Sequence, residues 1–401
     1  MRILHTCHTY RPSPDGVAIV MQRVSEGLVS RGHEVTVATT GLAGVAPAED
    51  HAGVQIRRFD VSGNAASGCS GATEAYSRFV ASFPCDVMLN YAAQICTTDL
   101  VLPLLAELDC RKVIAPCGYS GLQDEHYAEY FSQMPAHLRA YDAAVYHSQT
   151  YQDARFAADN GLGNSVFINN GADAVSPPYA PGSFRNRYAI PQTTLLLSVG
   201  RLEPPKGQDL VVEAFRLSKL RDAALVLVAP EISRFAAGTL RTETGPFFKS
   251  RRRVRAALYE LVERHLPGRA QRLEWKLSDG KKIYILTHLP RQDVLAAYAD
   301  ADLFVFGSRV ECSPLVIIEA MAAGTPFISM PVGNVPDLPG GMIVRDTTEM
   351  AAAIDQLAQK GEPWRNLSQA GRAAWERDYT WDHVVDQYER LYQELLTRGN
   401  A

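Results

Sequence analysis

Residues 194–228 read TLLLSVGRLEPPKGQDLVVEAFRLSKLRDAALVLV. Thr194–Gly200 is a strand-length run of nearly continuous apolar residues, and Arg201–Gly207 is a loop holding two prolines. Leu210, Ala214 and Leu217 recur at helical spacing, and Leu225–Val228 is a second apolar run. Strand, loop, helix and strand in that order make a βαβ unit, which requires a parallel sheet. The same order opens the chain. Arg2–Thr6 reads as a strand, Tyr10–Gly16 as a loop, and Val20, Val24 and Leu28 mark a helix from Ala18. Gly32 is placed to end that helix in the left-handed conformation, and His33–Thr40 follows as a β-branched strand.

Between these two starts, Asp86–Asn90, Arg111–Ala115, Ala143–His147 and Ser165–Asn169 are short apolar runs that continue the first sheet. Gly63–Gly71, rich in Gly, Ser and Ala, reads as a surface loop. Gly171–Gln192 carries four prolines and no apolar period, and Ser176–Ser183 reads as the linker. After it the pattern restarts, with later strands at Lys282–Leu286 and Leu303–Phe306 and a helix around Asp293–Tyr298. Two similar α/β halves imply two doubly wound domains. The basic run Arg251–Arg255 reads as a solvated helix face, with contact to an anionic membrane or acceptor as the sharper alternative. Trp381–Leu396 carries a helical stripe of Trp381, Val384, Val385, Tyr388, Leu391, Tyr392 and Leu395 that needs a broad apolar partner.

Composition narrows the function classes. The chain has 401 residues, 46% hydrophobic and 21% charged, so it is globular and not disordered. A formal net charge of −4 argues against a nucleic-acid coat. No apolar run is long enough to cross a bilayer, and the N-terminus lacks a signal-peptide pattern, so the expected location is cytoplasmic with at most peripheral membrane contact. The seven cysteines form no C-x-x-C pair, which leaves a disulfide framework or zinc site unexpected and makes most of them small hydrophobes. His5, His8, His33, His137 and His147 lie in or near strands and helix ends and read as structural. Zincin, P-loop and dinucleotide-binding motifs do not occur.

The segment Gly307–Gly324, GSRVECSPLVIIEAMAAG, carries the chemistry. Ser313 is expected to cap a helix whose first position is Pro314 and whose body is Leu315–Ala323. A helix start at the carboxyl end of a parallel strand suits a phosphate. Glu311 lies in the loop, and Glu319 interrupts an otherwise apolar helix. A charge retained there is expected to face a cleft, where carboxylates suit pairs of sugar hydroxyls. In the earlier loop, Arg201 and Lys206 could neutralise a diphosphate.

Strand–GRL–x3–KG, then E-x7-E ahead of EAMAAGTP, resembles the retaining nucleotide-sugar glycosyltransferases of family 4. Arg31-Gly32-His33-Glu34-Val35, Asn170-Gly171-Ala172-Asp173 and the terminal aromatic helix add to the resemblance, which spans nearly the whole chain. It implies a GT-B fold: two Rossmann-like doubly wound parallel-sheet domains facing across a cleft. Residues 1–182, joined by a returning helix at 379–401, would bind the acceptor; residues 183–378 would bind the nucleotide sugar. On the resemblance, Arg201 and Lys206 hold the diphosphate, Glu319 the ribose, and Glu311 the donor sugar near the reacting carbon. The amides of Leu315 and Val316 would face the phosphates, and Gly16 would let backbone approach them from the other domain.

Three departures stand out. Asp15-Gly16 replaces the family's common pair of glycines. Pro116-Cys117-Gly118-Tyr119 stands where many members carry a histidine, so Cys117, Gly118, Tyr119 and the downstream His126 are the candidates near the anomeric carbon or acceptor. Ala229-Pro230 replaces a glycine-rich turn before the long stretch Glu231–Asp279, a possible shaper of specificity. The expected reaction moves a hexose-type sugar from a UDP-sugar, or a GDP-sugar as second choice, to an acceptor hydroxyl with retention, without cofactor or metal. A lipid-linked glycan, a free sugar or aminocyclitol, and a small natural product are the open acceptors. Nucleotide-sugar epimerase, phosphorylase and non-catalytic sugar-nucleotide binding are the competing readings.

Overall fold

The computed structural model describes residues 1–175, 182–231 and 271–398. Most of the linker at Ser176–Ser183, the whole Arg251–Arg255 run and residues 232–270 of the long stretch lie outside the described residues. The chain divides into one compact unit of Met1–Gly171 with Asp378–Ala401, and a second of Ala172–Arg377.

The first unit is built on β1 (Arg2–Cys7), β2 (Glu34–Thr40), β3 (Ala48–His51), β4 (Val54–Phe59), β7 (Val87–Tyr91), β8 (Arg111–Ala115), β9 (Ala143–Tyr146) and β10 (Ser165–Phe167), with β5 (Val61–Asn64) and β6 (Gly68–Gly71) apart from it. Its sheet order is β10-β9-β8-β7-β1-β2-β4-β3, parallel except where β3 meets β4. The central strands are buried on both faces, which is why they read as unbroken apolar runs. From β1 the chain steps to β2 on one side and later returns to β7 on the other. The topological switch point, where open α/β sheets bind ligands, therefore lies between β1 and β7.

The second unit repeats this plan. Its strands are β11 (Thr194–Val199), β12 (Ala223–Ala229), β13 (Gln271–Lys276), β14 (Lys282–Thr287), β15 (Leu303–Phe306), β16 (Phe327–Ser329) and β17 (Gly341–Ile343). They order as β13-β14-β12-β11-β15-β16-β17, with only β13 against β14 antiparallel among the described residues. The switch point here falls between β11 and β15, the two strands that carry the motif-bearing loops at their carboxyl ends.

Gly63–Gly71 is not a plain loop. Val61–Asn64 and Gly68–Gly71 pair as an antiparallel hairpin. A Cβ on Gly63 would stand 2.1 Å from the Gly68 carbonyl oxygen, so the small residues that suggest a loop are what let the two backbones close. β13 falls inside the long stretch Glu231–Asp279 and has no distinct signal of its own in the sequence.

The helix Trp381–Arg398 supplies its stripe to the first unit, against the helix Gly16–Ser30. His5 on β1 anchors it: Nδ1 meets Ser25 Oγ at 2.8 Å and Nε2 meets Tyr392 Oη at 3.2 Å. At the helix edge, Arg31 pairs with Asp386 at 2.6 Å, and His33 and Arg31 reach Glu389 at 2.8 and 3.1 Å. No helix among the described residues is long and apolar enough to cross a membrane.

Complete burial lowers the His5 pKa from 6.5 to about 3. The unfolded chain thus takes up the proton before the folded chain does. This contribution to stability is intact above about pH 6.5 and is lost as pH falls toward 3, at up to about 1.4 kcal/mol per pH unit. Urea unfolding should show the advantage of the wild type over His5→Gln shrinking by about 2 kcal/mol between pH 7.5 and pH 5. A constant difference across that range would show that His5 is not held neutral.

Candidate active site

In the second unit the loops after β11 and β15 meet through bare backbone. Gly207 has φ +62°, and a Cβ there would stand 1.8 Å from the Gly307 carbonyl oxygen. Only glycine permits both the left-handed conformation and the approach. Hydrogen bonds then fix the loops together. Arg309 N donates to the Pro205 carbonyl at 2.8 Å, and Ser308 Oγ lies 3.1 Å from the same oxygen. The Arg309 guanidinium takes both oxygens of Asp209 at 2.9 and 2.6 Å.

This clamp brings two of the candidate residues into contact. Lys206 Nζ donates to Glu311 Oε1 at 2.7 Å, and Ser308 Oγ donates to the same oxygen at 2.8 Å. Lys206 and Glu311 are 105 positions apart, so only the fold makes them neighbours. Arg201 leaves the same loop as Lys206 but is mostly exposed, with its Nε 3.6 Å from Glu203. A third loop, after β16, supports the strip that follows: Asn334 N donates to the Cys312 carbonyl at 2.8 Å and its Nδ2 to Ser313 Oγ at 3.1 Å.

The cap differs from expectation. Pro314, with φ −73° and ψ 117°, occupies the cap position itself, and no side chain caps the helix Leu315–Ala323. The φ of Pro314 would suit a helix but its ψ is extended, so the chain enters the helix one residue later, and the Ser313 hydroxyl accepts from Asn334 instead. Ile317 N donates to the Pro314 carbonyl at 3.2 Å, whereas the amides of Leu315 and Val316 have no intrahelical carbonyl to bond, which leaves an anion-favouring helix end a few residues after Glu311.

Glu319 is almost fully buried, and its charge is matched inside the unit. Arg291, at the start of the helix Arg291–Asp300, donates to its Oε1 at 2.6 Å and lies 3.6 Å from Asp173 Oδ2. A cleft is therefore not required to explain a carboxylate at this position. Nothing near Glu319 in the sequence points to Arg291, which lies 28 positions away.

In the first unit, Gly16 opens the helix Gly16–Ser30 and Asp15 caps it. Asp15 accepts from Ala18 N at 3.1 Å, Thr9 Oγ1 at 2.8 Å and Ser13 Oγ at 2.6 Å. Burial works against its charge, but these hydrogen bonds hold its carboxyl below the usual range. The aspartate is what organises the first loop.

Cys117, Gly118 and Tyr119 form a left-handed run after β8, with φ of 60°, 106° and 51°. Two of the three are not glycine, so the backbone is strained and must be held. Gly118 N donates to Asp153 Oδ2 at 2.8 Å, and Gln152 Nε2 donates to the carbonyls of Gly118 and Tyr119 at 2.7 and 2.8 Å. Ala92 and Gln94, after neighbouring β7, also have positive φ. Cys117 Sγ lies 3.9 Å from Nε2 of His147, whose Nδ1 meets the Ile168 carbonyl at 2.7 Å. The carbonyl assigns the ring proton to Nδ1. Burial pushes the Cys117 thiol up to about 12 and lowers the His147 pKa, so both are neutral and Cys117 is no thiolate nucleophile. His126 is exposed on the turn Glu125–Tyr127, with Nε2 2.8 Å from Ser67 Oγ of the glycine hairpin. Among the described residues there is no cluster of three or more His, Cys, Asp or Glu able to hold a metal ion.

Residues 183–374 match the family model for glycosyl transferases group 1. Over 115 residues the chain is 34% identical to the N-acetyl-alpha-D-glucosaminyl L-malate synthase of Bacillus anthracis, covering 27% of this chain and 30% of that enzyme. The chain spans about half or less of the length of the curated relatives it matches. Among solved structures, sucrose-phosphate synthase from Thermosynechococcus elongatus superposes with a TM-score of 0.73 at 18% identity, over 99% of both chains. The Anabaena protein HepE in complex with UDP-glucose gives 0.67 at 15% identity, over 98% of this chain and 100% of that one. The two doubly wound units are those of a GT-B fold.

Arg291→Met leaves Glu319 as an unpaired buried charge and should cost about 3 kcal/mol of stability in denaturant unfolding. Adding Glu319→Gln removes the orphan charge and should return most of that loss. A double variant as unstable as the single one would show that the ion pair is not what the burial of Glu319 depends on.

Proposed function

With a group 1 glycosyltransferase domain occupying residues 183–374 of a GT-B chain, we propose that the protein transfers a hexose-type sugar from a nucleoside-diphosphate sugar to an acceptor hydroxyl. The observation that carries this reading is the contact of Lys206 with Glu311 at the β11/β15 switch point, next to the uncapped start of the helix Leu315–Ala323. A cation and oriented amides suit the diphosphate, and a carboxylate suits the sugar hydroxyls. The complex of HepE with UDP-glucose supports UDP as the carrier.

Breaking the anomeric bond puts positive charge on the sugar ring and negative charge on the departing diphosphate. Lys206, Arg201 and the amides of Leu315 and Val316 stabilise the negative part. Preorganised charge of this kind usually contributes more to catalysis than any other single effect, and here it calls for no cofactor or metal. Lys206 enters the reaction already fixed by Glu311, so little ordering remains to be done when the donor binds. Glu311 orients hydroxyls of the sugar, and Glu319, whose Oε1 Arg291 holds, takes the ribose. The neutral state of Cys117 fits a reaction without an enzyme nucleophile, in which the acceptor attacks from the face the leaving phosphate vacates and that phosphate takes the proton. Retention of configuration follows. The acceptor falls to the first unit, with the held Cys117-Gly118-Tyr119 loop and Asp15-capped Gly16 at its carboxyl-end loops.

Lys206→Ala and Glu319→Gln should each lower sugar transfer by an amount equal to about 2–4 kcal/mol while far-UV circular dichroism stays native. A thermal-shift series with UDP, GDP, ADP and their sugars should show selective stabilisation by one base, lost in Lys206→Ala. Near wild-type turnover in both variants would remove the donor site from these residues. Conversion of donor alone, with no acceptor, would make the protein an epimerase.

A further inference from the structure

We propose that Asp173 is a positioning residue for the nucleotide: acting through Arg291, it sets Glu319 to receive the ribose hydroxyls. The inference rests on the donor site proposed above and adds a residue to it. Asn170-Gly171-Ala172-Asp173 is a motif to which the reaction so far gives no role. Its aspartate is firmly placed. One residue earlier, the Ala172 carbonyl accepts from Nε1 of the buried Trp375 at 3.2 Å, on the helix Glu362–Asp378. Asp173 Oδ2 lies 3.6 Å from Nη2 of Arg291, the first residue of the helix Arg291–Asp300. That same nitrogen donates to Glu319 Oε1 at 2.6 Å. One guanidinium thus stands between two carboxylates, of which Asp173 is partly exposed and Glu319 almost fully buried.

The two carboxylates compete for this cation. An arginine left with a single carboxylate commonly turns its fork onto both oxygens at once. On Glu319 that geometry would occupy the acceptor positions that a pair of ribose hydroxyls needs. The pull of Asp173 on the shared nitrogen opposes the turn, and Arg291 meets Glu319 through Oε1. At 3.6 Å the attraction is that of two charges and requires no hydrogen bond. The charge of Glu319 stays matched while its carboxylate remains able to accept. Asp173 has no part at the reacting carbon in this scheme, so it acts on nucleotide binding and not on the chemical step.

The test is to titrate the full chain with UDP and with 2′,3′-dideoxy-UDP, which lacks both ribose hydroxyls, by isothermal titration calorimetry. The wild type should bind UDP the more tightly. Asp173→Asn should lower that preference by about fivefold, through weaker UDP binding and with dideoxy-UDP binding unchanged. Asp173→Glu, which keeps the charge, should restore it. An ordinary surface ion pair would leave the preference alone. Full discrimination in Asp173→Asn, or equal weakening of both nucleotides, therefore overturns the positioning role and leaves the donor site in place. A wild type that binds neither nucleotide better than the other withdraws the ribose from Glu319, and the proposal falls with it. A crystal structure of the wild type with UDP decides the matter even if a variant fails to fold. It should show Arg291 between both carboxylates; a guanidinium withdrawn from Asp173, or forked across both oxygens of Glu319, overturns the proposal.

Discussion

The candidate site depends on one steric fact: the backbones of Gly207 and Gly307 touch. Any side chain at Gly207 would drive into a carbonyl oxygen 1.8 Å away. Because the approach is so close, the loops from two adjacent strands behave as one body, tied by Ser308, Arg309 and Asp209. Lys206 and Glu311 then meet without either side chain having to search for the other. A cationic end is thereby fixed beside a helix terminus that favours negative charge, at the place in the sheet where the direction of strand addition reverses.

Buried charge is handled differently in the two units. In the second, Glu319 is balanced by Arg291, which itself lies near Asp173, so a carboxylate persists in an apolar helix. In the first, burial keeps His5, His147 and Cys117 neutral, and their contacts are with hydroxyls, carbonyls and one another. Strain in the first unit gathers at the carboxyl ends of β7 and β8, where Asp153 and Gln152 hold a left-handed run that two of its three residues disfavour. The proposed reading gives the diphosphate to the second unit, which holds Lys206 fixed, and the acceptor hydroxyl to the first.

The sheets are legible in the sequence because central parallel strands are buried on both faces and leave continuous apolar runs, as in Thr194–Val199 and Leu303–Phe306. Helix ends are also legible where glycine takes the left-handed conformation, as at Gly32 and Gly324. The hairpin at Val61–Gly71 is not, because glycine and serine carry no strand pattern and its pairing depends on close backbone approach. Ser313 is a good capping residue and reads as the cap, yet the extended ψ of Pro314 moves the entry by one position. Lys206 and Glu311 can be nominated from motif alone. Arg291, Asp153 and Gln152 cannot, since each acts across a separation that only the fold closes.

The most direct measurement is a crystal structure with UDP or GDP bound. The two phosphorus atoms are expected beside Lys206 Nζ and the amides of Leu315 and Val316, with the phosphate oxygens in hydrogen-bonding range and a ribose hydroxyl on Glu319. A nucleotide seated on other residues, with the Lys206–Glu311 contact undisturbed and empty of ligand, would contradict this placement.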